Sequence, residues 1–89
     1  MNDFFIYVLR SRKDGSFYIG QTNNIEKRLE RHNIGLVKTT KNRTPFDLVY
    51  TESYNTRREA MLRERYLKSI GGVKEKKAII ERLSQPLAR

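Results

Sequence analysis

Eighty-nine residues give room for one small domain with a single modest core, and the balance of 37% apolar to 33% charged residues is that of a globular, highly soluble chain. Nineteen Lys and Arg against ten Asp and Glu leave a net charge of +9, which favours a polyanionic partner. With no cysteine, disulfides and thiolate metal sites are excluded, and the longest apolar run, Phe4 to Leu9, is far short of the roughly 20 residues of a membrane span.

Phe4 to Arg10 is β-branched and aromatic, as a strand requires. Arg12-Lys13-Asp14-Gly15 is a turn, and Phe17 to Thr22 returns as a second strand. With a two-residue turn at Asp14-Gly15, one face carries Phe4, Ile6, Val8, Phe17 and Ile19. The other carries Tyr7, Leu9, Tyr18, Gly20 and Thr22. That register puts Tyr18 opposite Ser11, far along the strand from Tyr7. A longer loop or a bulge that shifts the pairing by an even count keeps the faces and brings the tyrosines together. Glycine inside a strand often marks close approach of another backbone or a ligand, which singles out Gly20.

Asn23 to Glu26 opens a first helix, with Asn23 as its cap and Gly35 just past its end. Ile25, Arg28, Leu29 and His32 share one face of it. Arg28 has the fork that pairs with phosphate, and His32 can donate to phosphate or exchange a proton near neutrality. Taken singly, both also have structural readings: an arginine at a helix edge and a histidine in a partial core. Residues 36–45, "LVKTTKNRTP", form a basic loop. Residues 21–45 carry six basic and two acidic side chains, and residues 71–89 five and two. Phe46 to Tyr54 is a third strand. Thr56 and Glu59 make a capping box for a second helix that runs to about Ile70 and stops at Gly71-Gly72. A third helix, Val73 to Leu83, ends before Pro86. The order strand, strand, helix, strand, helix, helix predicts an α+β fold: a small antiparallel three-stranded sheet flanked by helices.

Glu64 sits at the edge of the second helix's apolar arc, where a carboxylate needs a cation. Two partners are open: Lys68 one turn on, or a magnesium ion completed by water and substrate phosphate.

Together these residues resemble the GIY-YIG nuclease family, in particular its small single-domain members, over almost the whole chain. Phe5-Ile6-Tyr7 stands at the first triplet and Tyr18-Ile19-Gly20 is the second. Arg28-Leu29-Glu30-Arg31-His32-Asn33 is similar to the family's "RLxxHN" helix, "TPFDLVY" to its third strand and "EAMLRERYLK" to its acidic helix. Phe5 replaces the first triplet's glycine. The asparagine that many members carry after the glutamate is missing, in a region that holds Lys74, Lys76 and Lys77. The resemblance implies a divalent-metal-dependent endonuclease acting on nucleic acid, DNA ahead of RNA, with little sequence preference. Its catalytic set would be Tyr7, Tyr18, Arg28, His32 and Glu64, with Glu64 holding one Mg²⁺ or Mn²⁺. Arg28 would stabilise charge on phosphorus, and one of the two tyrosines would help remove the proton of the attacking water. Gly20, Arg31, Lys38, Lys41, Arg43 and Lys76 are the expected nucleic-acid contacts, Gly20 by keeping the surface open for phosphate. The alternatives are a catalytically weak binding module of the same fold, or an interaction protein acting through Tyr50, Tyr54 and the tail. With no leader pattern visible, a cytoplasmic location is the default expectation, and a protein partner would supply targeting.

Overall fold

The computed structural model describes residues 3–84 and has the expected element order. β1 (Phe4–Ser11), β2 (Phe17–Thr22) and β3 (Phe46–Tyr54) form an antiparallel sheet in the order β2-β1-β3. Strand alternation sorts the side chains into two cores. On one face Ile6, Val8 and Ile19 meet Leu67 of α2 (Arg57–Lys68), with Ile79 and Leu83 of α3 (Val73–Ser84) packed against them. On the other, Tyr7, Leu9 and Phe46 pack with Tyr18 and with Leu29 of α1 (Ile25–Asn33). The central strand β1 feeds both cores, so its residues 6–9 are buried without a break.

The hairpin does not use the two-residue Asp14-Gly15 turn. Residues 12–15 form a four-residue loop, closed by Ser11 N–H donating to the Ser16 carbonyl (2.8 Å) and Gly15 N–H to that of Ser11 (2.9 Å). The reason lies in Ser11, whose buried Oγ accepts from the amides of Lys13 (3.0 Å) and Asp14 (3.2 Å) and donates to the Arg43 carbonyl (2.6 Å). The pairing shifts by two residues, which sets Tyr18 opposite Leu9 and Gly20 opposite Tyr7. The faces are unchanged and the tyrosines become neighbours.

α1 is capped by Asn24, not Asn23: the Asn24 side chain accepts from the Lys27 amide (3.0 Å). Glu26 therefore sits in the first turn, where it complements the helix dipole. At the other end Gly35, with φ of 84°, lets its own amide reach the His32 carbonyl and the Leu36 amide reach that of Arg31. The Thr56–Glu59 capping box forms as expected. α2 ends at Lys68, short of the expected Ile70, because Ser69 Oγ turns back onto the Tyr66 carbonyl (2.7 Å). A single 3₁₀ turn, Ile70–Gly72, then leads into α3; Pro86 lies outside the described residues. No helix among the described residues is long and apolar enough to cross a membrane.

One polar cluster pins β3 to α2 and α3. Glu52 accepts from Tyr50 (2.6 Å), Tyr54 (2.7 Å) and both Nε (2.9 Å) and Nη2 (3.0 Å) of Arg63, which also reaches Glu75. Burial pushes the Glu52 carboxyl up, but the Arg63, Tyr50 and Tyr54 hydrogen bonds outweigh it and bring it down to about 2. Its contribution is therefore complete above the ordinary carboxyl range and is lost as pH falls through about 2. Glu52→Gln is expected to lower unfolding stability by about 3 kcal/mol near neutrality, with the gap to wild type closing in acid. Urea melts at neutral and acid pH measure both.

Candidate active site

Tyr7 is the node of the site. It projects from the centre of β1, is 2% exposed, and its phenol lies directly over Gly20 on β2. A Cβ added at Gly20 would come within 2.6 Å of Tyr7 Cζ. The glycine therefore makes room for the Tyr7 ring; the space expected to stay open for phosphate is filled by that ring.

The Tyr7 hydroxyl has two partners, both from α1. Arg28 Nε–H donates to it (3.1 Å), and His32 Nε2 lies 2.9 Å away. Helical spacing stacks Arg28 and His32 one turn apart on the docked face, as the sequence predicts. α1 is held in that pose by Asn33, whose side-chain amide pairs with both backbone groups of Phe46, accepting from N–H (2.7 Å) and donating to C=O (3.3 Å). The pairing fastens the helix end to the start of β3.

His32 is completely buried and boxed by aromatic rings: Tyr18 at 5.1 Å, Tyr7 at 5.7 Å and Phe46 at 5.9 Å between centroids. Its second nitrogen, Nδ1, meets Thr40 Oγ1 at 2.7 Å. Burial first, then the positive charges of Arg28 and Arg43, bring its pKa down to about 4, so the imidazole is neutral at physiological pH. Burial raises the Tyr7 phenol above its usual 10, against the pull of Arg28. Arg28 itself is raised by its hydrogen bond to Tyr7, and it has no carboxylate within ion-pair distance among the described residues.

Tyr18 stands beside Tyr7, ring centroids 6.3 Å apart, but is only half-buried. Glu64 reaches the same corner from α2. It forms the expected pair with Lys68 (Nζ to Oε2, 2.9 Å), and that ammonium lies 5.3 Å from the Tyr18 ring centroid. Leu67 enters the core on one face of the sheet while Lys68 covers Tyr18 on the other, so the end of α2 wraps the β2 edge. The carboxylate is near enough that its charge raises the Tyr7 phenol further.

The nucleic-acid contacts expected from sequence are scattered. Arg31, Lys38 and Lys41 are exposed. Arg43 is turned inward, with Nη1 on Ser16 Oγ (2.8 Å) and its guanidinium over Phe46. Lys76 lines a cavity of about 420 Å³ between α2 and α3, together with Leu67, Lys68, Val73 and Ile80. Of its lining residues, Lys68 also lies over the Tyr18 ring. Thr40 carries no periodic or spacing signal of its own. Asn33 is legible only as the end of the "RLxxHN" run and Lys68 only as the i+4 partner of Glu64, and neither spacing reveals the contacts with Phe46 and Tyr18.

A divalent cation suits this donor set in one mode only. No group of three or more His, Cys, Asp or Glu is gathered among the described residues. Glu64 is a single carboxylate with Oε2 on Lys68, which leaves Oε1 for a second cation. That is the pattern of magnesium held by one protein carboxylate and otherwise by water and substrate phosphate.

Residues 3–76 match the GIY-YIG catalytic domain family. A UPF0213 protein of Bacillus licheniformis is 46% identical over 82 residues, covering 91% of this chain and 84% of that protein. The UPF0213 protein YazA of Bacillus subtilis is 43% identical over 82 residues, 91% and 82% of the two chains. The solution structure of a UPF0213 protein from Bacillus halodurans superposes with a TM-score of 0.54 at 32% identity, over 94% of this chain and 88% of that one. The chain, by these matches and by the two triplets that meet across its first hairpin, belongs to the GIY-YIG family.

Proposed function

We propose that this chain is a single-domain, divalent-metal-dependent endonuclease that hydrolyses phosphodiester bonds in nucleic acid, DNA ahead of RNA, without sequence preference of its own. The supporting observation is the Tyr7 hydroxyl, held between an arginine with no acidic partner among the described residues and a buried neutral histidine, at the corner that Glu64 approaches. An uncompensated guanidinium beside paired phenols favours a bound anion.

In this reading Arg28 holds the phosphate and stabilises the charge that grows on it, while its Nε–H keeps Tyr7 in place. Tyr7 handles the proton of the attacking water. Burial raises the Tyr7 phenol above its usual range and lowers His32 to about 4, so moving the phenol proton onto His32 as a separate step is strongly uphill. The phenol proton therefore leaves toward Nε2 only as the water proton arrives at the phenol oxygen, and no free phenolate accumulates. Tyr18 positions phosphate or water. Glu64 would hold Mg²⁺ or Mn²⁺, which supplies charge stabilisation at the phosphate and leaving oxygen when bound. Lys38, Lys41, Arg31 and Lys76 add non-specific backbone attraction, and a protein partner would choose the target.

The test is a panel of duplex, single-stranded, branched and RNA substrates, each incubated with Mg²⁺, Mn²⁺ or chelator. Strand cleavage that needs the metal and co-elutes with the chain on cation exchange is the expected result. Salt-sensitive binding to every substrate with cleavage of none would favour the alternative, a binding module of the same fold. Arg28→Lys keeps the charge but loses both the planar fork and the Nε–H to Tyr7. It is expected to lower kcat about 10²-fold while nucleic-acid affinity changes by no more than about twofold.

A further inference from the structure

Thr40 lies in the basic segment before the short turn Lys41–Arg43, yet it is completely buried. Its backbone is anchored on both sides: its N–H donates to the Val37 carbonyl (3.0 Å), and its own carbonyl accepts from Arg43 N–H (2.9 Å). Arg43 is held in turn by Ser11 Oγ at the end of β1 (2.6 Å). The loop is thus fastened to the strand that carries Tyr7, and the Thr40 hydroxyl is placed against His32.

The protons of this chain of contacts can be counted. Arg28 can only donate, so the Tyr7 oxygen accepts from it. The phenol proton then needs an acceptor in a buried site, and His32 Nε2, 2.9 Å away, is the partner the structure offers. A neutral imidazole with Nε2 bare carries its proton on Nδ1, which donates to Thr40 Oγ1 at 2.7 Å. The Thr40 proton is left for the Val37 carbonyl at 3.4 Å, which can only accept. The opposite polarity, with Nε2 protonated, leaves the Tyr7 proton without an acceptor among the described residues. The charged groups that bear on His32 are Arg28 and Arg43, and its ring neighbours are Tyr7, Tyr18 and Phe46.

We propose that Thr40 is a positioning residue: its buried hydroxyl fixes the Nδ1–H tautomer of His32 and so aims the Nε2 lone pair at the Tyr7 hydroxyl. The role rests on the reading of Tyr7 and His32 as the proton path given above. It adds a residue from the basic loop to a site otherwise drawn from the hairpin, α1 and α2.

His32 is the sole histidine of the chain, so a two-bond ¹H–¹⁵N spectrum of the labelled full-length protein contains one imidazole. Near neutral pH, Nδ1 is expected at a protonated shift and Nε2 at a bare one. Thr40→Val should convert this to the Nε2–H form or a mixture, and Thr40→Ser should restore it. In cleavage assays Thr40→Val is expected to lower kcat about 10-fold with KM unchanged, and Thr40→Ser to recover most of the loss. An Nε2–H imidazole in the wild type, or an unaltered imidazole in Thr40→Val, would overturn the assignment. If Thr40→Val does not fold, the wild-type and Thr40→Ser spectra still decide it. The spectrum needs no substrate. An Nδ1–H imidazole in a chain that cuts nothing counts against the nuclease and leaves Thr40 in place; an Nε2–H imidazole in a chain that cuts does the reverse.

Discussion

Glu64→Gln is expected to lower metal-dependent cleavage by about 10³-fold or more, a loss of roughly 4 kcal/mol of transition-state stabilisation. The substitution keeps the shape of the side chain and removes its charge. With one protein carboxylate at the site, nothing else among the gathered side chains can take over the cation. Manganese titration of the free protein should weaken in parallel, which ties the loss to the metal and not to substrate contact. Stability should hardly change. The pair that Glu64 makes with Lys68 is a partly exposed i,i+4 contact, worth about 0.3–0.5 kcal/mol. Nucleic-acid affinity should hold or rise slightly, because one negative charge is gone and the Lys68 ammonium is released toward phosphate. Equal cleavage by the variant and the wild type would mean that the activity belongs to a contaminant.

What the sequence made legible follows from the range of the forces involved. Strand alternation put Tyr7 and Tyr18 on one face and Ile6 and Val8 on the other, because period two is a local property of the backbone. The Thr56–Glu59 box, the Gly35 terminus and the Arg28–His32 stacking are also set within four residues. The hairpin register was not local. The Asp14-Gly15 signal is real, but a buried Ser11 hydroxyl shared between the loop amides and the Arg43 carbonyl favours the longer loop. That contact spans 32 residues and leaves no mark on the hairpin's own sequence. The same holds for Thr40 and Asn33, whose partners are set by how the 36–45 segment returns to the sheet. Gly20 was legible as a place of close approach, though what approaches is the Tyr7 ring across the strand pair.

The convergence has a topological cause. β1 is central and its residues 6–9 are buried on both faces, so the Tyr7 hydroxyl finds its hydrogen-bond partners on α1. α1 supplies a donor in Arg28 and an acceptor in His32 on one helical face. β2 is an edge strand, and its open side is where α2 wraps around to bring Glu64 and Lys68 to the tyrosines. In the proposed reaction, a phosphate entering at that edge would meet the less buried Arg28, Tyr18 and Lys68 before the buried phenol.

Tyr7→Phe removes only the hydroxyl and is expected to lower kcat by about 10²- to 10⁴-fold, the range of a lost proton-transfer group. It leaves Arg28 Nε–H and His32 Nε2 without their shared partner, which costs about 1–3 kcal/mol of stability, so melts accompany the kinetics. The ring still fits over Gly20, and KM should change little. The wild-type pH profile then identifies the proton path. If the phenol passes its proton to His32 as it takes one from water, activity depends on a neutral imidazole. kcat/KM then falls only as pH drops toward about 4 and is level across neutrality. If a free phenolate is the base, with a pKa above the usual 10, the rate instead climbs about tenfold per unit through neutral pH. The Tyr7–His32 contact predicts the level profile. Tyr18→Phe should keep that profile and lose about 10-fold in rate, since the hydrogen bond to His32 belongs to Tyr7. A larger loss in Tyr18→Phe than in Tyr7→Phe would exchange the roles of the two phenols.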